Sequence, residues 1–149
     1  MELSAAEREV LAEEVEAFAR TLKDPDTRER YAQLSAAVQQ STVPLHLVGF
    51  LETMLELVLQ TQRVRRQRGP EAEQALLRLF HRTPRGAALA QAAREVNAAL
   101  AALRGQTLES LTFTPTPRGH SLVIDTTHCS LTLAIDRAGV RVERLEMGA

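Results

Sequence analysis

The sequence predicts an α+β fold: an N-terminal bundle of about five helices, then a four-stranded antiparallel β-meander packed on a helix. Three observations predict it. Apolar residues recur at helical spacing as far as about residue 104. After Gly105 the period drops to two and the residue types shift to Thr, Val, Leu and Ile. Four of the six prolines (Pro25, Pro44, Pro70 and Pro84) stand where helices should begin, at positions whose backbone N–H has no intrahelical partner.

The first helix is predicted over about Ala5 to Leu22, opened by a Ser4/Glu7 capping box and carrying the stripe Leu11, Val15, Phe18, Leu22. Asp24-Pro25 starts a second, to about Gln40, with Tyr31, Leu34 and Val38 inward. A third opens at Thr42-Val43-Pro44 and is predicted to run to about Arg68, ending at Gly69-Pro70. The fourth spans Pro70 to His81 with Leu76, Leu79 and Phe80 inward. Thr83-Pro84 caps the fifth, whose stripe is Leu89, Ala93, Val96, Leu100 and Leu103. Four alternating segments follow, around Leu111/Phe113, Leu122/Ile124, Leu131/Leu133/Ile135 and Val140/Val142, and the last loses phase before Leu145. Their breaks are predicted at Pro115–Gly119, Asp125–His128 and Asp136–Gly139. Connections this short require antiparallel neighbours. The expected organisation is a helical region, 1–104, and a β-meander, 105–149, forming one compact domain.

At 149 residues, with 44% hydrophobic and 25% charged side chains, the chain can bury a core without disulfides, and its lone Cys129 excludes a disulfide framework or a Cys-rich zinc site. The aromatics Phe18, Tyr31, Phe50, Phe80 and Phe113 are too few for base-stacking RNA modules. The Met1-Glu2-Leu3-Ser4 opening lacks the pattern of a signal peptide, and Val43–Leu59 is too short and too acidic to span a membrane. Lys23 is the single lysine among 18 basic residues, a usage expected of a GC-rich bacterial genome. A bacterial, cytoplasmic protein without membrane partners is the expectation.

Charge is unevenly spread. Residues 1–62 hold 5 basic and 11 acidic side chains, residues 63–104 hold 9 and 3, and residues 105–149 hold 4 and 5, so a net −1 conceals a dipolar chain. Arg63, Arg66 and Arg68 crowd the end of the third helix, and Arg82 and Arg85 flank the start of the fifth. With the N–H groups near Thr83-Pro84 they form a candidate site for nucleic acid or an anionic ligand. The competing account is neutralisation by the acidic first two helices. A helix-turn-helix over 71–97 has thin support, since Gln91, Arg94 and Asn97 are its only base-reading side chains.

No nucleophile elbow, P-loop or dinucleotide fingerprint occurs. His120, His128 and Cys129 are the one set of soft ligands or nucleophiles, the basis of an enzyme of unfamiliar type. Neighbours His128 and Cys129 point apart in regular β geometry. Glu52 and Glu56 are read as surface carboxylates. No catalytic residue, metal ligand or cofactor is assigned. The third helix carries an apolar arc wider than half its circumference, and Phe50, Met54 and Leu57 on it are the interface candidates. The leading functional expectation is a non-enzymatic interaction or assembly module, homo-oligomeric or bound to another protein, ahead of the anion-binding and enzyme alternatives.

Overall fold

A computed structural model describes residues 1–148. The chain divides into two compact units, Met1–Ala87 and a second from Ala88 onward. Among the described residues the order is α1 (Ala5–Thr21), α2 (Pro25–Gln39), α3 (Leu45–Gln60), α4 (Arg63–Arg68), α5 (Pro70–Phe80), α6 (Pro84–Ala102), β1 (Leu108–Thr116), β2 (Gly119–Thr126), β3 (Cys129–Asp136) and β4 (Gly139–Met147). The predicted α+β class is what the chain adopts. No helix among them is long and apolar enough to cross a membrane.

In the first unit the caps are those the sequence announces. Ser4 Oγ accepts from the Glu7 N–H at 3.3 Å, and the Ser4 N–H donates to Glu7 Oε2 at 2.8 Å. Asp24 accepts from the Thr27 hydroxyl and N–H, which holds its carboxyl below the usual carboxylate range. The wide apolar arc of α3 has a direct cause. This helix packs against α1, α2, α4 and α5, and Leu47, Leu51, Met54 and Leu55 are essentially without accessible surface. Tyr31 is buried between Phe18 and Phe50 and donates its hydroxyl to the Phe50 carbonyl at 3.0 Å; burial pushes its pKa up.

The predicted third helix does not continue to Arg68. It stops at Gln60, and Gln62 takes a left-handed conformation (φ 52°, ψ 18°) before α4 begins, giving six helices in place of about five. The Thr61 hydroxyl donates to the Val58 carbonyl at 2.9 Å, a local bond that competes with helical pairing. The break buries Val64 and redirects the arginines after it. Gly86, at the third helical position of α6, answers to space: a Cβ there would lie 1.8 Å from the Phe80 carbonyl oxygen.

In the second unit the four strands form one antiparallel sheet in sequence order. Ala99 of α6 packs on Leu131 and Leu133, with Val96, Leu103, Leu122, Ile124 and Val142 around them. The slip anticipated in the last strand is a register shift opposite Thr132/Leu133, which leaves Glu143 extra. The breaks are all narrower than predicted: Asp125 and Thr126 belong to β2, Asp136 ends β3 and Gly139 starts β4. Pro115 does not end β1 but pairs with His120, and the turn is Pro117-Arg118 alone. Proline is tolerated there because β1 is an edge strand, where a missing N–H faces solvent.

Candidate functional site

The five arginines proposed for anion binding are placed by four different helix ends, and four of them meet carboxylates of the same chain. Arg63 pairs with Glu14, and Arg68 with Glu13 and Glu14. Arg82 binds Glu7 at 3.2 Å and the Glu2 carbonyl. Arg85 binds Glu56 at 2.9 Å. Arg66 donates to the Thr61 carbonyl at 3.0 Å and has no carboxylate partner among the described residues. The α6 N-terminus, where the sequence predicts an exogenous anion, already holds one: Glu52 Oε2 accepts from the Arg85 N–H at 2.8 Å, and Thr83 Oγ1 from the Gly86 N–H at 3.2 Å. Glu52 and Glu56 are therefore internal ligands of that helix start, not idle surface groups.

The carboxylates were the residues missed. Glu7 and Glu14 are only 6% and 3% exposed, on the same face of α1 as Leu11. A signal was available: seven residues apart and flanking Leu11, they fall within the apolar stripe. A charge buried there needs a partner, and the arginines of α4 and of the α5–α6 connection supply it.

The soft-ligand set does not assemble. His120, the second residue of β2, lies stacked on Phe113, ring centroids 4.8 Å apart. His128 and Cys129 sit beyond the other end of that strand, about 20 Å away at ~3.3 Å per residue. His128 is exposed, its backbone N–H donating to Gln106, while Cys129 is 5% exposed. Nearby, Asp125 accepts from Ser130 at 2.6 Å and Ser110 at 2.8 Å, and these two bonds lower its pKa. No histidine completes that cluster. The geometry gives the enzyme reading no common centre.

Of the three interface candidates on α3, Met54 is fully buried and belongs to the core, since a side chain with no accessible surface has no contact to offer. Phe50 is half-buried against Tyr31. Leu57 is 46% exposed and, with Phe18, Arg63 and Arg66, lines an open groove of about 290 Å³.

A second unpartnered surface lies on the sheet. Every residue of β1 is exposed, and Leu111 and Phe113 are each 59% so. They stand opposite Ile124 and Leu122, hence on the apolar face that α6 covers further in. The α6 side chains that pack on this face reach residues of β2, β3 and β4, and β1 is left without a cover. Sequence alternation marked Leu111 and Phe113 as apolar positions but could not tell that the helix stops short of them.

No protein-family model, curated protein or solved structure matches the chain.

Proposed function

We propose that the chain is a non-enzymatic assembly module that associates with copies of itself through the sheet of its second unit. One observation carries this reading: an edge strand exposed along its whole length, with Leu111 and Phe113 each 59% accessible. An uncovered apolar edge offers both unpaired backbone groups and hydrophobic area, the features that make strands pair between chains. The alternatives lose support from the same geometry, because the arginines are engaged internally and the histidines and thiol are far apart. The arginine-over-lysine usage favours a bacterial source for the module, and we assign it to the cytoplasm.

Light scattering over a concentration series tests the reading. The expected molar mass is a multiple of 16.5 kDa at micromolar concentration, returning to the single-chain value in Phe113→Glu without loss of helical circular dichroism. Because Phe113 is exposed, the substitution removes association and not folding. A wild-type monomer at every concentration removes the proposal. Dissociation by Leu57→Glu, with Phe113→Glu still associated, moves the contact to α3.

A further inference from the structure

The two edges of the sheet differ in how they are defended. β4 carries Arg141, Glu143, Arg144 and Glu146 and is bulged at Glu143, features that discourage strand pairing. β1 carries one charge, Glu109, at its own register shift near the start, and from Ser110 to Thr116 it has none. A partner strand of high charge gains nothing here, whereas an uncharged strand with the same alternation fits. That strand is β1 of a second copy.

Backbone parity fixes which groups face outward. Thr116 and Gly119 flank the two-residue turn, so they form the hydrogen-bonded pair next to it. Alternation from there turns the backbone groups of Thr114 and Thr112 toward β2, and those of Pro115, Phe113 and Leu111 toward the open edge. Pro115, the one residue of the strand with no N–H to offer, lies on the outward set, where its lack costs the sheet nothing.

We infer that two copies pair antiparallel through β1 about a dyad at Thr112, joining two four-stranded sheets into one of eight strands. The inference rests on the self-assembly reading above. About this dyad Leu111 of one copy faces Phe113 of the other, twice, and all their outward N–H and C=O groups find partners. Their side chains form two Leu–Phe cross-strand pairs on the apolar face. The other face sets Thr112 against Thr112 and Ser110 against Thr114. About Thr112, Pro115 meets Glu109 at the register shift, outside the two Leu–Phe pairs. A dyad one position later sets Leu111 against Pro115 and loses the donor inside the apolar run, and one position earlier it sets Glu109 against Phe113. Pairing of β1 with β4 of the next copy is heterologous, propagates as an open filament, and meets the charges of β4.

Cysteine pairs in the full chain test the register. Across a non-hydrogen-bonded antiparallel pair the Cα atoms lie ~4.5 Å apart, within disulfide reach. Thr112→Cys places two thiols there, while Ser110→Cys or Thr114→Cys alone leaves its thiols about 13 Å apart. Under mild oxidation, Thr112→Cys is expected to give a covalent dimer at least about tenfold faster than either of the other two single variants. Mixing Ser110→Cys chains with Thr114→Cys chains is expected to give the crosslinked heterodimer. Wild-type chain, whose Cys129 is buried, serves as the control. Monomeric wild type by light scattering overturns both the register and the assembly reading. Wild-type dimers in which Ser110→Cys or Thr114→Cys crosslinks fastest, or in which none of these crosslinks forms, overturn the register alone.

Discussion

Glu7 shows at the scale of one residue how a sequence reading can be right and incomplete. Its role in the capping box is legible from Ser4 three positions earlier, and the structure contains that box. Its second role is not legible, because the Arg82 guanidinium that reaches it is 75 residues away. Local spacing predicts what neighbours on one helix do, and no local rule predicts which distant cation meets a buried carboxylate. The consequence is measurable. Leaving a buried charge unpaired costs roughly 3–5 kcal/mol, and the 42% exposure of Arg82 discounts this to about 2 kcal/mol. Arg82→Ala is therefore expected to lower the urea midpoint of the first unit. Arg63→Ala is expected to lower it less, since Glu14 keeps Arg68. Equal, near-zero effects in urea titrations followed by circular dichroism contradict this account.

Elements are better announced than their pairings. Prolines at helix starts, Ser4 and Asp24 caps and period-two alternation locate most of the ten elements, because each signal is local and physically obligatory. The α3–α4 break is the exception: Thr61-Gln62 contains neither glycine nor proline, and its left-handed residue answers to the burial of Val64 and the pairing of Arg63. The β3–β4 hairpin is a local element with a local acid dependence. Asp136 accepts from Arg141 at 2.5 Å and from the Ala138 N–H at 2.8 Å; the Arg141 bond first, then the turn N–H, hold its pKa below the usual value. A folded pKa below the unfolded one means stability fully present above the unfolded value, near pH ~3.9, and lost as pH falls through the folded value. Asp136→Asn is expected to be less stable than wild type at neutral pH, with the difference shrinking below about pH 4. Midpoint curves for the two proteins that stay parallel down to acid pH contradict it.

Across the whole molecule, the segregation of acidic residues into 1–62 and basic residues into 63–104 is plain in the sequence, and so is the choice it leaves between an anion-binding patch and internal neutralisation. The structure favours neutralisation, though not by the first two helices as expected: Arg63, Arg68, Arg82 and Arg85 bind carboxylates of α1 and α3, over sequence separations as large as 75. A polyanion competes for these cations only by stripping Glu7 and Glu14 of partners in a buried setting, which couples binding to loss of stability. Arg66 is the member of the set that can contact a phosphate at no such cost. Each phosphate contact contributes a slope of about −0.9 to log affinity against log salt. The expected result with duplex DNA is weak, sequence-blind binding at low salt, with a slope near that of one or two contacts, gone at physiological ionic strength. Arg66→Glu is expected to remove the residue of binding with the unfolding midpoint unchanged. Arg63→Glu sets a new carboxylate against Glu14 and lowers the midpoint, so only the Arg66 variant reports on recognition. Firm binding at physiological salt, with a slope of several contacts and released by Arg66→Glu, displaces the assembly reading in favour of a nucleic-acid binder.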